Sequence, residues 1–241
     1  LTNSSTYSRF FATIFLFFPQ SITMNRLDLT PYDALLLDFD NTLLATEEFH
    51  VMGFTKALKQ LLDYDLTRED EIGYMGRTTT SMSAMIIGRL GRHDVTPEQV
   101  TELKRQLVLE VFEPKVYPGV VEFLSKQKGK RVIAVVSNSP RDFVEHAMSL
   151  SGLTPYVDAL LTCDDVVRCK PDPEIFLKAS SRVGVPVPRC LVFEDSEIGL
   201  QASLSGGFAS VLVLNPDNIV PRTIPTSVHL TTWFHLLEGL C

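Results

Sequence analysis

From Gly119 onward short apolar runs alternate with amphipathic segments, and that alternation restricts the chain to a parallel sheet with crossover helices. The spacing predicts helices over 119–128, around 141–150, near 173–184 and near 197–205. Between them "RVIAVVSN", "DALLTC", "CLVFED" and "SVLVL" read as strands, and "SVHL" and "TWFHLLEGL" as a final short strand and helix. The run "LLLDFDNTLL" adds a buried strand through Leu35–Leu37 that ends at Asp38 and Asp40. The fold class is therefore α/β. At 241 residues with 45% hydrophobic content, the chain suffices for one sizeable core and a smaller lobe.

That lobe falls between about Thr46 and Val116, where no strand pattern occurs. Phe49, Met52, Phe54, Ala57, Leu58, Leu61 and Leu62 approximate an i, i+3, i+4 stripe. Met82, Met85, Ile86 and Leu90 mark a second helix after "GRTTTS", and Val100, Leu103, Leu107, Val108 and Val111 a third that starts near Pro97. These stripes read as core, and "EPKVYPGV" closes the segment. Residues 1–23 hold "RFFATIFLFF", which has a basic flank but is too short to span a bilayer and lacks a small-residue cleavage site. They read as upstream sequence or a removed leader, with a signal peptide as the minor alternative. The expected units are 1–23 outside the fold, 24–45 with 117–241 as the core domain, and 46–116 as a helical domain.

A formal charge of −7 argues against nucleic acid or an anionic membrane as the main partner, because nothing compensates phosphate charge globally. An anionic substrate then needs local positive charge. Cys163, Cys169, Cys190 and Cys241 form no CxxC pair and match no zinc spacing, so reduced thiols in a cytoplasmic protein are expected.

Four separate stretches place polar groups at the C-terminal ends of the strands: Asp38 and Asp40; Ser137 and Asn138; Lys170 in "RCKPDPEIF"; Glu194 and Asp195 in "VFEDSEIG". In a parallel sheet these ends share one rim, where open α/β sheets bind ligands. Singly each has a plain structural explanation: a turn-forming Asp pair with Thr42 as a cap, a helix cap at Ser137 and Asn138, a solvated Lys170, and acids at a helix start. The joint order is what singles them out.

The order D-x-D-x-T, S-N, K-P-x-P, E-D-S-x-x-G resembles the four motifs of the haloacid dehalogenase superfamily over roughly 33–215, in its beta-phosphoglucomutase-like branch. The resemblance implies a Rossmann-like parallel sheet flanked by helices, with 46–116 as a small all-helical C1-type cap hinged near Thr46 and Pro118. It implies that Asp38 attacks phosphorus and that Asp40 protonates the leaving oxygen and then activates water. Mg²⁺ would be held by Asp38, the Asp40 carbonyl and Asp195, with Glu194 as an outer partner. Thr42 would orient the loop, Ser137 and Asn138 would hold the phosphoryl oxygens, and Lys170 would supply a point charge. Crowding of carboxylates is expected to raise the pKa of Asp40.

Position 41 is Asn where the branch usually has Gly, a mild change since Asn also tolerates positive φ. Asp40 disfavours carbon–halogen cleavage, because members with that activity generally lack it. In the cap turn Gly76 is followed three places on by Thr79, where the branch's mutases carry a phosphate-gripping arginine. The expected activity is thus a Mg²⁺-dependent phosphatase of a small phosphorylated metabolite such as a sugar or polyol phosphate, with His50, Arg77 and Thr78 as cap contacts. A beta-phosphoglucomutase-type enzyme and a catalytically silent phospho-ligand or protein-binding relative are the alternatives. A monomer or weak homodimer is expected, with no nucleic-acid or membrane partner.

Overall fold

A computed structural model describes residues 27–67, 69–70, 78–215 and 224–238. Among these, six parallel strands form one sheet: β1 (Ala34–Leu37), β2 (Val132–Val136), β3 (Ala159–Leu161), β4 (Cys190–Glu194), β5 (Ala209–Val213) and β6 (His229–Thr231). The spatial order is β3-β2-β1-β4-β5-β6, so the winding direction reverses beside β1. Leu36 pairs with Ala134 on one side and Val192 on the other. The crevice at such a reversal, beyond the carboxyl ends of the strands, is the usual ligand site of open α/β sheets.

Strand side chains alternate between two cores, as period-2 geometry requires. Leu35, Leu37, Ile133, Val135, Leu191 and Phe193 pack on one face with α4 (Val120–Gln127), α5 (Arg141–Leu150) and α8 (Trp233–Glu238). Ala34, Leu36, Ala134, Val136 and Val192 pack on the other with α6 (Glu174–Val183) and α7 (Glu197–Ser205). Burial on both faces explains why β1 is a continuous apolar run rather than an alternating one.

Between β1 and α4 the chain forms α1 (Glu47–Leu62), α2 (Thr79–Leu90) and α3 (Pro97–Val111), which share a separate core built on Phe54, Leu58, Met82, Ile86, Val100 and Leu107. Helix α3 starts as its sequence demands. Thr96 and Gln99 form a reciprocal capping box with Pro97 in the first turn. The chain leaves and re-enters the sheet domain through adjacent segments, tied by Ala45 N to Lys115 O (2.9 Å) and Tyr117 N to Leu43 O (3.0 Å).

Two expectations need correction. Met52 is 41% exposed, and Met85 and Leu90 are also exposed, so the apolar stripes of α1 and α2 extend beyond their buried face. The cysteines are not all reduced: Cys163 and Cys169, with Cα atoms 5.4 Å apart, form a disulfide, while Cys190 is free and buried. Their six-residue separation spans a loop whose ends meet, which spacing alone does not reveal. Residues 1–23 and Cys241 lie outside the described residues. Among the described residues no helix is long and apolar enough to cross a membrane.

Helices α1 and α3 approach closely at Gly53, where an added Cβ would lie 2.4 Å from Val108 Cγ2 and 3.3 Å from the Lys104 carbonyl oxygen. Gly53→Ala should therefore destabilise the protein by about 1–3 kcal/mol through overpacking. Gly88 lies in α2 with open space around it, so Gly88→Ala should stabilise by about 0.5–1 kcal/mol. Urea-denaturation midpoints of the two variants should move in opposite directions.

Candidate active site

The carboxyl ends of β1, β2 and β4 bring together side chains far apart in sequence. Asp38 follows β1 directly, its N–H donating to Phe193 O at 2.9 Å across the neighbouring strand. The turn that follows reverses the chain at Asn41, whose φ of 55° is one that Asn tolerates better than most residues. This places Thr42 Oγ1 2.8 Å from Asp38 Oδ2 and 3.0 Å from Asp195 Oδ1. Two side chains from the end of the fold clamp the turn. Trp233 Nε1 donates to Thr42 O (2.8 Å), and Asn215 Nδ2 donates to Asn41 O (2.7 Å) and Thr42 O (3.2 Å).

Lys170 supplies the buried cation. Its ammonium, with a side chain 2% exposed, donates to Asp38 Oδ1 (2.6 Å), Glu194 Oε1 (2.6 Å) and Val136 O (2.7 Å), which uses all three of its protons. Burial works against its charge, but the adjacent Asp38 and Glu194 carboxylates outweigh that and raise its pKa. The second Glu194 oxygen accepts from Ser196 Oγ (2.9 Å) and from the Ser196 and Asp195 N–H groups. Negative charge remains in excess. Burial, then the Glu194 charge, push Asp38 up to about 7 despite Lys170, and burial with the charges of Asp38 and Glu194 pushes Asp195 well above the carboxylate range.

Asp40 behaves oppositely, against the sequence expectation of a raised pKa. Burial alone would raise it, yet hydrogen bonds from His50, Ser139 and Thr46 and the His50 charge hold it below the usual carboxylate range. Its Oδ1 faces Thr46 Oγ1 (2.8 Å) and His50 Nε2 (3.2 Å), while Oδ2 accepts from Ser137 Oγ (2.9 Å) and Ser139 Oγ (2.7 Å). The crowding therefore falls on Asp38 and Asp195 instead. His50, on α1, and Thr46 just before it reach Asp40 from the helical insert, the His50 ring packed 4.9 Å from that of Phe143.

The donor set suits a hard divalent cation. Oxygen atoms of Asp38, Glu194 and Asp195 lie within 4.8 Å of one another, and all three residues are buried. Thr42 has one hydroxyl proton for two carboxylates, so it cannot neutralise both. Lys170 bonds Asp38 and Glu194 while Asp195 accepts from the shared Thr42 hydroxyl, so a cation is needed most at Asp195 and the neighbouring Asp38 oxygen.

Asn138 is drawn into the cluster through the Lys170 backbone, accepting from its N–H (2.9 Å) and donating to its carbonyl (3.0 Å). Thr78 is exposed and caps α2 by accepting from Ser81 N (3.1 Å), so its hydroxyl makes none of the bonds that join the cluster. Arg77 lies outside the described residues. Sequence reasoning overlooked Ser139, Thr46, Asn215 and Trp233 as site contacts. Ser139 follows Ser137 at a two-residue step and could have been suspected; no local signal marks Asn215 or Trp233.

Two predictions follow from this packing. A Cβ at Gly199 would lie 1.9 Å from Glu194 Cδ, so Gly199→Ala must displace Glu194 and leave Lys170 short of a partner. Urea denaturation should show a loss of about 3–5 kcal/mol, as expected when a buried charge pair is broken. The second concerns pH. Asp38 binds its proton more tightly folded (about 7) than at its ordinary 3.8, so its stabilising contribution is full below that ordinary value and fades as pH approaches 7. Asp195 acts in the same direction. A cation competes with these protons, so added Mg²⁺ should raise the melting temperature more at about pH 8 than at about pH 5.

Residues 32–207 match the haloacid dehalogenase-like hydrolase family. A fructose-1-phosphate phosphatase, YqaB, of Escherichia coli strain K12 is 32% identical over 185 residues, which cover 75% of this chain and 95% of that protein. A phosphorylated carbohydrates phosphatase of Thermotoga maritima is 28% identical over 184 residues, covering 74% and 83%. The crystal structure of CbbY from Rhodobacter sphaeroides in complex with phosphate superimposes with a TM-score of 0.75 at 22% identity, covering 87% of this chain and 99% of that one, a likeness of fold. With a matched segment that takes in all four polar strand ends, the chain belongs to the haloacid dehalogenase-like hydrolases.

Proposed function

We propose that this protein is a Mg²⁺-dependent phosphatase that hydrolyses a small sugar or polyol phosphate through a phosphoryl group carried on Asp38. The observation that carries the reading is the bracing of Asp38, one oxygen on Lys170 and the other on Thr42, at the sheet reversal beside Asp195. The sugar-phosphate class draws on the substrates named for the Escherichia coli and Thermotoga relatives.

A carboxylate is a weak nucleophile and repels a phosphate, so the site must hold it in line and offset charge. Lys170 and Thr42 fix the Asp38 carboxylate. An Asp38 oxygen bonds to phosphorus as the ester P–O bond breaks, and the leaving oxygen takes a proton from Asp40. Asp40 then removes a proton from water, which attacks phosphorus, breaks the Asp38 O–P bond and releases phosphate. The ionised Asp40 suits this second step as it stands. Its acid role requires a proton, and the charge of a phosphate buried beside it supplies the drive to take one up. Ser137 and the main chain at Asn138 would hold phosphoryl oxygens. Asp38, Asp195 and the Asp40 carbonyl would hold Mg²⁺, which when bound offsets charge on the phosphoryl group.

In this reading residues 24–45 and 117–241 are the catalytic domain and 46–116 a cap that excludes water and selects the substrate. His50 bridges the two through Asp40, and Arg77 and Thr78 would contact the sugar from the cap.

The test is phosphate release by the full chain from a panel including fructose 1-phosphate and polyol phosphates. Release should require Mg²⁺, stop with EDTA, and fall by about a thousandfold or more in Asp38→Asn. Asp40→Asn should lower turnover by about 10²–10⁴ while keeping the Mg²⁺-induced rise in melting temperature. Isomerisation of a sugar phosphate that needs a bisphosphate and releases little phosphate would identify a mutase instead. Undiminished turnover in purified Asp38→Asn would overturn the proposal.

A further inference from the structure

We propose that Cys163 and Cys169 form a reversible thiol–disulfide couple that controls the order of the loop carrying Lys170, a modification site for small-molecule disulfides such as oxidised glutathione. Cys163 opens the short turn 163–165 just after β3, and Cys169 is bonded directly to Lys170. Their Cα separation of 5.4 Å lies within the range a disulfide spans.

The location argues for a local device rather than a general staple. A disulfide constrains the unfolded chain more as its loop lengthens, and this one joins residues only six apart. The enclosed loop is at the surface, with Val167 91% exposed, and both cysteines are partly accessible, so a soluble disulfide or thiol can reach them. Cys190, by contrast, is buried.

The loop's other ties are polar: Arg141 donates to Asp165 (2.5 Å) and, through its N–H, to Asp164 (2.8 Å), Lys178 donates to the Asp165 carbonyl, and Arg168 pairs with Asp172 (2.8 Å). Glu174 accepts from Val167 N (2.9 Å) and Arg168 N (3.1 Å), and Asn138 holds the Lys170 main chain on both sides. Asn138 Oδ1 also lies 3.8 Å from Cys163 Sγ. Once reduced, Cys163 gains an S–H that can donate to this oxygen beside the Lys170 N–H, since an amide oxygen accepts two hydrogen bonds. Reduction thus removes the covalent closure of 163–169 and leaves the order of the loop to these polar contacts.

The exchange balances. One cysteine thiolate attacks a sulfur of oxidised glutathione, breaking its S–S bond and expelling one glutathione thiolate. The second cysteine thiolate attacks the mixed disulfide, forming Cys163–Cys169 and expelling the other. The two cysteine protons end on the two glutathione thiols, and excess reduced glutathione runs the sequence backwards.

The test equilibrates the full-length protein in glutathione buffers of graded ratio, then counts alkylated thiols by mass spectrometry and follows amide hydrogen exchange over 163–172. Cys163 and Cys169 should convert together while Cys190 does not. Exchange in the loop should speed by roughly tenfold on reduction. Cys163→Ser and Cys169→Ala should exchange fast in every buffer, with protection in β1 and β4 unchanged. A loop that exchanges equally in both redox states, or thiols that do not interconvert, would overturn the proposal. The consequence for catalysis rests on the phosphatase reading: phosphate release should be greater in the disulfide form and track thiol conversion. No release in any buffer would count against that reading alone, since the thiol and exchange measurements still decide the couple.

Discussion

One buried ammonium holds the centre of this molecule. Lys170 meets Asp38, Glu194 and the Val136 carbonyl at 2.6–2.7 Å, and those three acceptors come from the ends of three adjacent strands. Burying charge is costly, and the cost is met only when every donor and acceptor is satisfied in good geometry. The sheet supplies that geometry because β2, β1 and β4 are neighbours in register. Gly199 allows the rest: its missing side chain leaves the space that the Glu194 carboxylate fills. Core packing and site electrostatics are here the same set of contacts.

The two aspartates of the first strand end are separated by environment more than by distance. Asp38 points into the buried cluster, where burial and then the Glu194 charge oppose its ionisation. Asp40, two residues on, points to hydroxyls and His50, which favour its ionisation. Two identical side chains thus acquire different proton affinities; a cation beside Asp38 would favour its ionised form, and an anionic ligand beside Asp40 would favour its protonated form. Because His50 and Thr46 belong to the segment that leads into the helical insert, the state of Asp40 is coupled to where that insert sits.

Much of this was legible in the sequence. Apolar runs ending in polar residues, repeated with helical segments between them, placed Asp38, Ser137 and Asp195 on one rim, because parallel strands share a carboxyl edge. Asn41 in place of glycine was readable as tolerable, and it adopts φ 55°. What was hidden depends on tertiary approach. Trp233 and Asn215 reach the Thr42 carbonyl from 191 and 173 residues away, with nothing local to announce them. The low pKa of Asp40 was misjudged because counting nearby carboxylates ignores which way each points. Met52 and Met85 fit a core stripe by period but lie beyond its buried edge.

The central claim is that Asp38 carries the phosphoryl group, and its most direct test is covalent. Full-length protein mixed with Mg²⁺ and a sugar phosphate that it turns over would be quenched in acid at short times and its peptides weighed. The account predicts a transient peptide containing Asp38 that is heavier by one phosphoryl group, absent from Asp38→Asn. Phosphate release at full rate with no such peptide at any quench time, or with the added mass on another residue, would contradict it.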